Sequence, residues 1–178
     1  RGDFEVVINE AENLLSNFAK DFRVWNILGI AHAQLGNLAK SVDAFAVAVD
    51  LNPLFSDGYN NLGNVQKLQQ KLSVAEQSYR KAIEISPCFS SALNNLGVLL
   101  QEFGRITEGA AFCQRAIQIQ PDFFEAHNAL GIAYYRLGEF EQSEKSYRSA
   151  IFLKPDSPEV HNNLGSALQA MGRAEEAE

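Results

Sequence analysis

Positive charge is scarce in this chain: 15 lysines and arginines face 22 aspartates and glutamates, for a net charge of −7. Phosphate backbones are bound mainly through Lys and Arg, so this balance argues against nucleic acid as a partner. Cysteine is scarcer still. Cys88 and Cys113 form neither a disulfide framework nor a metal-ligand spacing. His32, His127 and His161 have no ligand spacing, and no His-Glu-x-x-His string occurs. No metal or cofactor is implied. No apolar run approaches the ~20 residues that span a bilayer, and no basic cluster of the membrane-binding kind appears, so membrane insertion is not expected. No charged-then-apolar leader and no Asn-x-Ser/Thr acceptor is present. The reading leans to the cytoplasm, although nothing in the sequence fixes a compartment.

What the chain does have is a beat. Leu28-Gly29, Leu62-Gly63, Leu96-Gly97, Leu130-Gly131 and Leu164-Gly165 recur every 34 residues. Pro53, Pro87, Pro121 and Pro155 keep the same interval. A strict period of this length means one supersecondary unit copied head to tail, each copy packing on its neighbours. Function then moves from a catalytic cleft to an extended surface.

Units open at Phe22, Ser56, Ser90, Phe124 and Pro158, each taken as position 1. In the unit from Ser56, apolar residues fall at Tyr59, Leu62 and Val65, then at Val74, Ala75, Tyr79, Ala82 and Ile83. Both runs have helical spacing. Gly36, Gly104, Gly138 and Gly172 mark the turn between the two helices, in the left-handed conformation that closes a helix. Gln70 departs from this series, which predicts a strained or differently closed turn. Proline pushes the residue before it out of the α region and ends the second helix. Ser157-Pro158-Glu159 reads as an N-cap, a first helical proline and an acid near the positive helix end. Glycine at position 8 in all five units implies that another backbone passes close by. Ala48, Ala82, Ala116 and Ala150 serve the same end, with Phe45, Tyr79, Cys113 and Tyr147 filling the space beside them.

Trp25, Leu28, Gly29, Phe45, Ala48 and Pro53 resemble the tetratricopeptide repeat at its signature positions. The resemblance covers the whole chain and implies an all-α, right-handed α-solenoid of helix–turn–helix repeats. Residues 1–21 are read as the second helix of a truncated repeat, followed by repeats at 22–55, 56–89, 90–123 and 124–157 and a partial repeat at 158–178. Ala174 to Glu178 would begin a further helix. Neither end has the polar capping helix that closes a solenoid, so a segment of a longer protein is expected. Ser41, Gly109 and Ser143 replace the usual alanine at position 20, and His32, Gln66, Leu100 and Leu168 the usual aromatic at position 11.

The resemblance also implies that the first helix of each pair lines a concave groove. Position 5 there is asparagine five times: Asn26, Asn60, Asn94, Asn128 and Asn162. Position 6 adds Asn61, Asn95 and Asn163, with Ile27 and Ala129 in the other units. Asparagine is a middling-to-poor helix former, so local stability does not select it. Its carboxamide both donates and accepts, which suits the N–H and C=O of an extended peptide. The row resembles the asparagine ladder in the superhelix of O-GlcNAc transferases, and positions 5 and 6 are both candidates for the match. A structural role stands beside it: the position 6 asparagines bonding between adjacent first helices. Asn64, Lys67, Tyr135 and Arg136 complete the candidate peptide-binding set, the last two because Tyr and Arg are enriched in binding hot spots.

The key lysine of the family's carboxylate clamp is asparagine here, which argues against that mode. His127, His161 and His32 read as packing residues and Cys113 as core. Arg1-Gly2-Asp3 falls at a repeat turn, and Lys40-Ser41 lacks a phosphate loop's glycine. The expected function is a protein-interaction module that binds an extended peptide or protein segment and has no chemistry of its own. Two alternatives stay open: a substrate-recruiting arm of a larger glycosyltransferase or sulfotransferase, and a scaffold that self-associates through its uncapped ends.

Overall fold

The computed structural model describes residues 2–173. The expected helix from Ala174 to Glu178 lies outside them. Ten helices and no strand occur among the described residues. They are α1 (Gly2–Phe18), α2 (Phe22–Gln34), α3 (Leu38–Leu51), α4 (Ser56–Leu68), α5 (Leu72–Ile85), α6 (Ser90–Glu102), α7 (Ile106–Ile119), α8 (Phe124–Leu137), α9 (Phe140–Leu153) and α10 (Pro158–Ala170). The chain divides into two compact units, Arg1–Pro87 and Cys88–Glu178.

In the unit Arg1–Pro87 each helix packs on the next in sequence. One core joins Ala11, Val24, Leu28 and Ala44, with Ile8, Leu15 and Trp25 against it. A second joins Phe45, Val49, Leu62 and Val65. In the unit Cys88–Glu178, Ala110, Cys113, Ala129, Leu130 and Ala133 form one core, and Tyr147, Ala150, Val160, Leu164, Ala167 and Leu168 another. These are the residues of the sequence period. Val74 departs from it: 44% exposed, it is no part of the packed face.

Local chemistry sets the helix ends. The residue before each repeat proline is extended: Asn52, Ser86, Gln120 and Lys154 have φ between −142° and −129° and ψ of 87° to 90°. This is the steric effect of proline on its predecessor. The turn glycines have φ of 75° to 78°, and Gln70 has φ of 61°. Gln70 keeps the closure of its sisters, with its N–H on Lys67 O and that of Lys71 on Gln66 O, both at 2.9 Å. The turn is therefore strained rather than rebuilt. Ser157 is extended as an N-cap should be, but its hydroxyl makes no capping bond; Pro158 follows at the helix start.

The position 8 glycines give a different picture from the expected backbone approach. A methyl group on Gly29, Gly63 or Gly131 would lie 2.5–2.7 Å from the ring of Phe45, Tyr79 or Tyr147. There an aromatic ring, not a main chain, occupies the space. Of the four helix pairs α2–α3, α4–α5, α6–α7 and α8–α9, the backbone comes this close at the position 8 glycine in α6–α7. A methyl on Gly97 would lie 2.6 Å from Cys113 Sγ and 2.8 Å from Gly109 O, and one on Gly109 would lie 2.5 Å from Gly97 O. Cys113 is smaller than the rings at its sister positions, so α7 closes further onto α6. In two of the other repeats position 20 carries a bonding side chain: Ser41 Oγ donates to Gly29 O at 2.7 Å and Ser143 Oγ to Gly131 O at 2.8 Å, while Ala75 holds the position in the third.

Candidate peptide-binding surface

The first helices of the repeats are α2 and α4 in one unit and α6, α8 and α10 in the other. A tether of one kind fixes the starts of three of them, α2, α8 and α10. Trp25 Nε1 donates to Ala19 O at 2.8 Å. His127 Nε2 lies 2.9 Å from Pro121 O and His161 Nε2 2.8 Å from Pro155 O. In each case a position 4 ring nitrogen meets the carbonyl six residues earlier. The histidines are thereby committed as donors to the preceding loop.

The asparagines are linked between helices. Asn61 Nδ2 donates to Asn26 Oδ1 at 3.1 Å, joining α4 to α2. Asn163 Nδ2 donates to Asn128 Oδ1 at 3.3 Å, joining α10 to α8. A position 6 carboxamide thus holds the position 5 carboxamide of the preceding repeat. Asn128 Nδ2 in turn donates to Glu159 Oε1 at 3.2 Å.

Asn94 breaks the series. The next repeat has Ala129 at position 6, so α8 offers no carboxamide to α6. Asn94 is 6% exposed, and its Oδ1 is buried with no hydrogen-bond partner among the described residues. Gln101 takes over the link between these helices: its Nε2 donates to Ala129 O at 3.2 Å, and Arg136 Nη1 donates to Gln101 O at 2.8 Å. Gln101 is itself buried. Gly109 makes room for it, since a methyl there would lie 2.8 Å from Gln101 Cγ.

The other candidates are dispersed along the first helices. Asn60 is buried, Asn95 and Lys67 are half-buried, and Asn162 is exposed. Asn64 Oδ1 accepts from Tyr79 Oη at 2.8 Å. Tyr135 is 38% exposed and tilts against Phe140, ring centroids 5.5 Å apart. Arg136 is exposed but tethered through the Gln101 carbonyl. Sequence reasoning missed Gln101 and Glu159; their signal was a polar residue at positions 12 and 2, which does not reveal a partner on the next helix.

Nucleophilic chemistry finds no support at Cys113. Burial pushes its thiol up to about 12, and the thiolate is the reactive form. Among the described residues no group of three His, Cys, Asp or Glu side chains is placed to hold a metal ion. Nor is any described helix long and apolar enough to cross a membrane.

Paired helices around glycine-filled contacts, with amides in register along the first helices, define a helical-repeat interaction module. The chain belongs to the tetratricopeptide repeat family. A family model described as TPR repeat matches residues 114–138 and 133–172, and models described as tetratricopeptide repeat match 1–54, 56–87 and 78–109. A comparison with curated proteins finds no match.

Among solved structures the chain is similar to MamA, at 20% identity and a TM-score of 0.78, over 86% of this chain and 90% of that one. It is similar to YrrB, described as a TPR protein with an unusual peptide-binding site, at 16% identity and 0.77, over 94% and 86% of the two chains. A chain of the APC/C hetero-tetramer Cut9-Hcn1 matches at 14% identity and 0.84, over 99% of this chain and 35% of its own length. At these identities the likeness is one of fold, the tetratricopeptide α-solenoid. Domains of this family are non-catalytic interaction modules, and that is the class the fold supports for this chain.

Proposed function

We propose that the chain binds an extended peptide segment along its first helices, gripping the peptide backbone through the position 5 asparagines. The observation that carries this reading is Asn94. A buried acceptor without a donor costs about 1–3 kcal/mol, and a turn of the side chain that brings this oxygen to the surface to meet a ligand N–H removes that cost. Turning the carboxamide over exchanges its oxygen and nitrogen, so Asn94 can meet either an N–H or a C=O. Asn26 and Asn128 are held by Asn61 and Asn163. Fixed side chains lose less freedom on binding, which favours affinity. Asn60, Asn64, Asn95, Asn162, Lys67, Tyr135 and Arg136 complete the proposed surface. Each contact contributes about 0.5–1.5 kcal/mol net, so affinity comes from many acting together.

Peptides selected from a random library against the full chain provide the probe. Changing Asn60, Asn94 and Asn128 to alanine removes three contacts and weakens binding by about tenfold or more. Full affinity in the triple variant, or no peptide enriched, would contradict the reading.

A further inference from the structure

We propose that the outer face of α9 is a second interaction surface, one that takes an acidic peptide segment carrying a large apolar side chain. Within the unit Cys88–Glu178, a depression of about 440 Å3 is bounded by Pro121, His127, Arg148, Phe152 and Leu153. A smaller one of about 270 Å3 adjoins it, sharing His127 and Ser149 and reaching Leu130, Tyr134 and Lys145. Together they form a trough beside α9, with side chains of α8 in its lining. Phe152 stands at its rim, 85% exposed.

Repetition within the chain shows that this ring is not there for the fold. The same repeat position holds Asp50, Glu84 and Gln118, all exposed. Exposure is therefore the rule at that slot whether or not another repeat follows, and phenylalanine is the departure. An aromatic ring in water beside an open depression has the character of a binding anchor.

Charge selects the partner. Lys145 occupies the slot of Asp43, so α9 replaces the pair Asp43 and Asp50 of α3 with Lys145 and Phe152. Arg148 and Arg173 both bond Glu144, at 2.8 and 2.6 Å, so two guanidiniums share one carboxylate. Lys145 has no carboxylate partner among the described residues. Asp122 is the acid in the lining. The lining itself holds two cations, Lys145 and Arg148, against one acid, Asp122, an excess of positive charge on a chain of −7 overall, with Glu141 the one further acid at the same helical spacing on α9. Carboxylates flanking an apolar side chain match it: the side chain enters the depression and the acids meet Lys145 and Arg148.

The test uses the full chain, isotopically labelled, titrated with a short synthetic peptide of glutamates and leucines around one phenylalanine. Backbone resonances of His127, Ser149 and Leu153 shift with a common saturating isotherm. A peptide with lysine for glutamate, or with alanine for its apolar residues, gives no such shifts. Phe152→Glu and Lys145→Asp introduce side chains that sister positions already carry, and each weakens binding about tenfold or more. Asn94→Ala and Asn128→Ala leave it unchanged, which separates this surface from the asparagine row. No binding by the acidic peptide, equal binding by the lysine peptide, or shifts confined to the asparagine row would overturn the proposal.

Discussion

Gly109→Ala sets the structure against the repeat pattern. By pattern the change should stabilise: Ala75 holds the same repeat position, and alanine in a helix interior gains about 0.5–1 kcal/mol over glycine. By structure it should destabilise. The new methyl would lie 2.5 Å from Gly97 O, 2.8 Å from Gln101 Cγ and 3.2 Å from Gln101 N. Two of these three atoms are backbone, so α6 and α7 have to move apart. Overpacking of this kind costs about 1–3 kcal/mol, and rigid neighbours place it near the upper end. Subtracting the propensity gain leaves a loss of about 2 kcal/mol. For a chain of this size that lowers Tm by roughly 4–8 °C. Thermal unfolding followed by circular dichroism measures it. An unchanged or raised Tm would refute the close approach of α6 and α7.

Gln70→Gly should stabilise by about 0.5–1 kcal/mol in urea unfolding, because Gln70 has φ of 61° where its sisters are glycine; a loss of stability would show that the turn is unstrained. Native chain should release one thiol equivalent to Ellman's reagent at pH 8 and two after denaturation, since Cys88 is exposed and Cys113 is buried; two equivalents from native chain would contradict that burial. Hydrogen bonds from Arg148 and Arg173 hold the Glu144 carboxyl below its ordinary value of 4.5. The folded state is then favoured above that pH, and the contribution fades as pH falls through the lowered value. Glu144→Gln should flatten this part of the acid-stability profile, and an unchanged profile would mean the two arginines do not act on Glu144.

The repeat was legible in the sequence because each of its signals is local. Leucine, glycine and proline at fixed intervals report helix faces and ends within one unit. The strain at Gln70 was visible for the same reason. What lies between helices was not. The letters at Gly29 and Gly97 are the same, yet one faces the Phe45 ring and the other the Gly109 carbonyl, because position 24 holds a ring in one repeat and Cys113 in the other. The asparagines show this most clearly. Sequence reading left open whether the position 6 asparagines bond between first helices, and Asn61 and Asn163 do so. That Ala129 strips Asn94 of its donor follows only once the position 6 to position 5 register between helices is known. Gln101, buried and bonded from α6 to α8, was hidden in the same way.

The central claim is that the asparagine row reads a peptide's backbone and not its side chains. The most direct measurement is a pair of scans on one bound peptide, by calorimetry against the full chain. Methylating each backbone nitrogen in turn removes one donor, while alanine substitution leaves the backbone intact. The account predicts losses of roughly threefold to tenfold at periodic positions of the methylation scan and near-constant affinity across the alanine scan. Uniform affinity under methylation, with sharp losses at one or two side chains, would contradict it.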